Sequence, residues 1–184
     1  IAFQDMAKAF DSVGLTPLQH ALTRIRVPEN LINYIVDLFK NRQIRIITAF
    51  GLTDIFTGND GIDQGDVISP LLWRIFYDPL LSMVQKHCNL SYTITSSLPR
   101  ALRHQTQENH FKSSCSAFAD DTIWLTNNIS ELQDIVNISD SFFELNDVKI
   151  NGNKSELMVI NPSIPEAQRF IIMGSDLKNM IITL

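Results

Sequence analysis

Residues 116–126 read SAFADDTIWLT, two adjacent carboxylates held between two apolar runs. The runs on either side, 111–118 and 122–127, read as strands. Ala119-Asp120-Asp121 then reads as the turn of a β-hairpin. Apolar flanks must enter a core, so the tip carries two like charges to the edge of that core. A turn Asp by itself is ordinary, because Asp tolerates unusual backbone angles. Two in succession repel each other and are well suited to sharing a cation.

The opening IAFQDMAKAFDSV begins apolar and predicts a buried strand running into Asp5, with Ala7, Ala9 and Phe10 in a turn or short helix. Thr16-Pro17 predicts a helix over 17–26 with Thr16 as its cap, and Pro28 opens another through about Lys40. Their apolar stripes, Leu18, Ala21, Leu22 and Ile25, then Leu31, Ile32, Ile35, Leu38 and Phe39, suit core packing. Residues 43–50 predict a strand, and the Gly/Asp/Asn-rich 58–61 a hairpin. Ser69-Pro70 starts a helix to about residue 87, which Pro79 would kink. Residues 89–110 predict a surface loop. A helix follows at 130–145, its start at Ser130-Glu131 compatible with capping. The strand ELMVIN and a last hairpin, FIIMG with MIITL, complete the chain. The order predicts one α+β domain, an antiparallel sheet with helices packed on one face.

No apolar run approaches the roughly 18 residues of a membrane span. No basic-then-apolar leader follows Ile1, so an intracellular setting, nucleus or cytoplasm, is expected. Cys88 and Cys115 show neither metal spacing nor a disulfide framework. The net charge of −5 argues against a nucleic-acid surface. Its distribution is uneven: residues 116–184 hold ten acids against four Lys/Arg. Bound cations would offset some of that charge.

Asp5 ends an apolar strand, as the acid pair does. If the two strands are neighbours, Asp5, Asp120 and Asp121 converge, an arrangement that requires cations. Hard divalent ions prefer such oxygen donors, and two ions about 4 Å apart form the clamp used in phosphoryl transfer. A receiver domain also uses an acid pair, but needs more chain after it than the 63 residues that follow Asp121. GIDQGDVISPLL, residues 61–72, adds two glycines that permit close backbone approach and Gln64, whose amide both donates and accepts. A plain loop before a capped helix fits the same residues.

FQDMAKAFDSV, GIDQGDVISPLL, FADD and VKINGNKSELMVI, in this order, resemble motifs A to D of the reverse transcriptase palm, most of all in non-LTR (LINE-type) retrotransposons. The resemblance covers about residues 1–160 and treats 1–184 as a partial reverse transcriptase domain. It implies a polymerase palm with fingers and thumb largely missing. It implies an RNA-directed DNA polymerase working on an RNA template, a DNA primer and deoxynucleoside triphosphates, with no membrane involved. Two Mg²⁺ (or Mn²⁺) would be held by Asp5, Asp120 and Asp121 with the carbonyl of Met6. Phe10 would lie beneath the sugar and exclude a 2′-hydroxyl, while Gln64 and Gly65 would contact the incoming nucleotide and template. Lys154 would protonate or neutralise the leaving pyrophosphate. In place of the Gly-Leu pair that usually opens motif D stands Asn146-Asp147-Val148, which leaves that turn open. An RNA-dependent RNA polymerase palm shares the layout, although the aromatic at position 10 argues against it. A catalytically inactive retroelement remnant with weak RNA binding also fits.

Overall fold

The computed structural model describes residues 1–87, 92–97, 108–160, 165–174 and 180–183. Strand β1 (Ala2–Gln4) and β2 (Met6–Ala7) are separated by Asp5 alone. A 3-10 turn at Phe10–Ser12 leads to helix α1 (Leu15–Arg24), and α2 (Glu29–Phe39) follows Pro28. Four short strands come next: β3 (Arg42–Ile44), β4 (Ile47–Thr48), β5 (Gly51–Leu52) and β6 (Phe56–Gly58). The long helix α3 (Ser69–Lys86) precedes β7 (Tyr92–Ser97), β8 (Glu108–Ser113), β9 (Cys115–Phe118) and β10 (Asp121–Trp124). Helix α4 (Ile129–Leu145) is followed by β11 (Lys149–Ile150), β12 (Glu156–Leu157), β13 (Phe170–Met173) and β14 (Met180–Thr183).

The mixed α+β order agrees with the sequence, but among the described residues the strands do not form one sheet. Four of them make an antiparallel sheet in the order β12-β1-β10-β9, and the other ten pair two by two. The central pairing is Phe3 with Ile123, flanked by Ala2 with Trp124 and Gln4 with Thr122. Side-chain alternation puts Ala2, Gln4, Thr122, Trp124 and Leu157 on the buried face. Helix α3 lies against that face, where the Tyr77 hydroxyl and Thr122 Oγ1 share a buried 2.9 Å hydrogen bond. Trp124 is wholly buried and donates its indole N–H to Gln4 Oε1 at 2.7 Å, tying β1 to β10. A one-residue slip would turn both groups to the other face, so this bond also fixes the register. Rings of α3 and α4 interleave below the sheet, with Tyr77 stacked on Phe143 and Phe76 beside Phe142. Helix α3 also packs on α1, and α4 on β13.

Several boundaries differ from the sequence expectation, each for a local reason. Helix α1 begins two residues earlier, capped by Gly14, so Thr16 and Pro17 lie inside its first turn. Pro17 costs nothing there, because first-turn N–H groups have no intrahelical partner. It ends at Arg24, where Arg26 (φ +62) turns the chain back and the Val27 N–H reaches the Leu22 carbonyl. Helix α3 carries Pro79 without interruption, and Ser69 is buried in its first turn rather than capping it. The cap of α4 is Asn128, not Ser130: its side chain accepts the Glu131 N–H at 2.9 Å. The expected strand 43–50 is broken after Ile44, and the chain reverses at Ala49-Phe50 rather than at 58–61. Residues 92–97 and 108–113, within the expected surface loop and just beyond it, pair as the arms of a hairpin. The rest of that loop lies outside the described residues. The strand expected over 111–118 breaks at Ser114, and β12 keeps only Glu156–Leu157 of ELMVIN. Phe170–Met173 and Met180–Thr183 pair, as expected of the last hairpin.

The motif D turn is also resolved. Asp147 takes the left-handed conformation (φ +53) that glycine usually supplies. The Val148 N–H bonds the Phe143 carbonyl at 2.9 Å and the Asp147 N–H that of Glu144 at 3.3 Å. This double closure is the Schellman arrangement, with Asp in the glycine position.

The β13 edge is fastened to α4 by side chains. Gln133 both accepts the Ile172 N–H and donates to its carbonyl, each at 2.7 Å. Asp140 Oδ2 accepts the Gly174 N–H at 2.9 Å, while Oδ1 is buried without a partner. Burial raises the Asp140 pKa from 3.8 to about 6, against the opposing pull of the Gly174 bond. The folded state therefore holds a proton that the unfolded chain has released between those values, and stability falls as pH rises from about 4 to about 6. Asp140→Asn is expected to flatten that slope and to raise the melting temperature at pH 7.5 but not at pH 4. Thermal melts at the two pH values check it.

Candidate active site

A cavity of 380 Å³ opens where β1 ends. Asp5 reaches it because the strand stops there. The Asp5 N–H bonds Ser155 Oγ at 3.2 Å, and its carbonyl accepts the Asn151 N–H at 2.9 Å. Those two bonds clamp the 151–155 turn against the end of β1 and bring Lys154 and Asn151 into the lining. Asp120, half-buried in the β9–β10 turn, lines the same cavity from the neighbouring strand pair. Met6, Phe10 and Gln64 complete the expected residues found there. The side chain of Met6 is buried in the core.

Two expected residues are outside the lining. Gly65 is exposed beside Gln64. Asp121 opens β10 opposite Phe118 and is exposed, one alternation step from the buried Thr122. Of the three carboxylates expected to converge, Asp5 and Asp120 line the cavity and Asp121 lies outside its lining. Among the described residues, no three Asp, Glu, His or Cys side chains form a metal-binding cluster. Two carboxylates and a backbone carbonyl still suit a hard divalent ion, which commonly takes one or two carboxylates and fills its shell with substrate phosphate and water. Lys8, Asp11 and Asn151 also line the cavity and were not singled out in the sequence. Their signal was available: Lys8 and Asp11 fall inside motif A, and Asn151 inside VKINGNKS.

The loop that carries Gln64 is held from two sides. The Gly61 N–H bonds the Val13 carbonyl and the Ile62 N–H that of Phe10, both at 3.0 Å. Arg42 fastens the other side, pairing with the Asp63 carboxylate and donating to the carbonyls of Asp60 at 2.7 Å and Gly61 at 3.1 Å. Its guanidinium also donates to the Phe39 carbonyl at 3.0 Å and lies 5.5 Å above the Phe39 ring. Nothing in the spacing of Arg42 announces this role.

A larger cavity of 610 Å³ lies elsewhere, between the start of α4 and β12. Among the described residues its lining carries no carboxylate, lysine, histidine or cysteine side chain.

Residues 1–177 match the family described as reverse transcriptase (RNA-dependent DNA polymerase). The chain belongs to the reverse transcriptase family. It is similar to Pol polyproteins of type-1 retrotransposable element R2, at 28% identity over 91% of the chain in Popillia japonica and 25% over all of it in Bradysia coprophila. It spans only about a fifth of their length, 22% and 20%. Among solved structures it resembles apo telomerase from Candida tropicalis, with a TM-score of 0.59 at 17% identity over 90% of the chain and 31% of that protein. Telomerase from Candida albicans gives 0.58 at 13% identity over the whole chain and 32% of that protein. At such identities the two telomerases speak for the fold of this reverse transcriptase domain. No helix among the described residues is long and apolar enough to cross a membrane.

Proposed function

We propose that the cavity at the end of β1 is the polymerising centre of an RNA-directed DNA polymerase, within a polymerase palm. It would add deoxynucleotides to the 3′-hydroxyl of a DNA primer on an RNA template. The observation that carries this reading is that Asp5 and Asp120, from distant parts of the chain, line one cavity with Phe10, Gln64 and Lys154. Asp5, Asp120 and the Met6 backbone would hold Mg²⁺, and Asp121 would join them by turning its carboxylate around the hairpin tip. Bound there, the cation supplies charge neutralisation for the triphosphate and a lowered pKa for the primer hydroxyl.

The remaining work falls to the chain's own groups. The Phe10 ring would press against C2′ of the sugar, leaving no room for a ribose hydroxyl. Gln64 would hydrogen-bond the incoming nucleotide, and Gly65 would lie along the template. The Lys154 ammonium would give a proton to the leaving pyrophosphate oxygen, or neutralise its charge.

Primer extension by the full-length protein carrying this chain tests the reading. With Mg²⁺, an RNA template and a DNA primer, deoxynucleotide addition is expected. Preference for ribonucleotides would support an RNA polymerase instead, and no addition an inactive remnant. Phe10→Val is expected to raise ribonucleotide use relative to deoxynucleotide by roughly tenfold or more, the scale on which a pocket discriminates one small group. Unchanged sugar preference in competition assays would remove Phe10 from the sugar site.

A further inference from the structure

Trp73, in the first turns of α3, touches both halves of the cavity without lining it. Its ring stacks on Phe10, with centroids 5.5 Å apart and planes 21° from parallel. On its other contacts it stacks on Tyr77 at 5.4 Å and 19°, and tilts against Phe76 at 5.7 Å. Its indole Nε1–H donates to the carbonyl of Ala119 at 2.6 Å.

Ala119 is the residue before Asp120, and its backbone is left-handed, φ +53. Two-residue hairpin loops ordinarily put glycine, asparagine or aspartate at such a position, because a Cβ crowds the backbone there. An alanine held so needs the surroundings to impose the conformation. The indole bond is one such contact: it takes hold of the carbonyl of the peptide unit that leads into Asp120. Below the sheet, Tyr77 on the next turn of the helix bonds Thr122, two residues beyond Asp120. The turn is therefore pinned to α3 on both sides of the carboxylate.

We propose that Trp73 is a positioning residue that couples the aim of Asp120 to the seat of the Phe10 ring, so that one indole sets both cation geometry and sugar discrimination. The inference rests on the polymerase reading of the cavity. It separates into two parts. The N–H···O bond governs Asp120, and the ring stack governs Phe10.

Single-nucleotide addition by the full-length protein, together with Mn²⁺ titration followed by electron paramagnetic resonance, tests it. Trp73→Phe keeps a stacking ring and removes the donor. The expected result is a roughly tenfold lower kcat and several-fold weaker Mn²⁺ binding, with KM and the preference for deoxynucleotides retained. Trp73→Leu removes both contacts and is expected to lower the deoxynucleotide preference about tenfold as well. A purely structural indole would lower the melting temperature and leave kcat, Mn²⁺ affinity and sugar preference at wild-type values. That result in Trp73→Phe overturns the turn coupling even if Trp73→Leu does not fold. Asp120→Asn, run beside them, tells the two failures apart. If it is inactive while Trp73→Phe matches wild type, the coupling alone fails; if it extends primers normally, the polymerase reading of the cavity fails with it.

Discussion

Asp120→Asn in the full-length protein is expected to reduce deoxynucleotide addition by at least about 10³-fold while the fold survives. The substitution keeps the shape of the side chain and removes its charge. Asp120 lies in a turn, half-buried, where an amide is as acceptable to the backbone as a carboxylate. What is lost is the charge of one of the carboxylates lining the cavity, and with it the hold on a divalent cation. A 10³-fold loss corresponds to about 4 kcal/mol of barrier. That is in keeping with a charge stabilisation worth several kcal/mol. Circular dichroism should be unchanged, and primer extension should fall to background. Asp121→Asn is the internal comparison. Asp121 lies outside the cavity lining, so a loss of similar size there would show that it joins the site when substrate binds.

The largest expected effect on stability comes from Gly61. A Cβ built at this position would stand 2.9 Å from the Asp11 carbonyl oxygen and 3.1 Å from its Cα, both backbone atoms. The conformation, φ +82, is itself strained for any residue with a side chain. Neither backbone can yield, because the Gly61 N–H and the Ile62 N–H are bonded across to Val13 and Phe10. Gly61→Ala is therefore expected to cost about 2–4 kcal/mol, a large share of a typical folding free energy. Gly51→Ala has a comparable positive φ of +115 but nothing within 4 Å, so it should cost only about 1 kcal/mol. Denaturant midpoints of the two variants separate steric contact from backbone strain. Equal shifts would mean that the approach to Asp11 carries no cost. Because the same contact seats Phe10 beside the loop of Gln64, Gly61→Ala should also raise the KM for nucleotide.

What the sequence disclosed follows from this geometry. Asp5 could be placed at a strand end and Asp120 in a hairpin turn because local patterns specify strands and turns. The pairing of Phe3 with Ile123 makes those two ends neighbours. No local pattern specifies that register, and the family resemblance supplied only the expectation that Asp5 meets the acid pair. The family was likewise legible, and the match over residues 1–177 bears it out. The Schellman turn at Asp147 was hidden because Asp substitutes for the glycine that would have announced it. That Asp121 lies outside the cavity lining depends on where the turn ends, which shifts with a one-residue change of boundary. Arg42 and Trp73 were unreadable for a deeper reason. Each acts through backbone carbonyls far away in the chain, Asp60 and Gly61 for one and Ala119 for the other, and a carbonyl leaves no trace in residue type. Exposed Ile47 and Phe50 broke the alternation expected of a half-buried strand, which is why residues 43–50 did not form one.

The central claim is that Asp5 and Asp120 act as one site. A double-mutant comparison of single-nucleotide addition tests it most directly, using Asp5→Asn, Asp120→Asn and the two together in the full-length protein. Residues that serve as one unit are strongly non-additive. The account predicts that the double variant is no slower than the slower single variant, all three lying at least about 10³-fold below wild type. Losses that multiply in the double variant, or normal addition by either single variant, would contradict it.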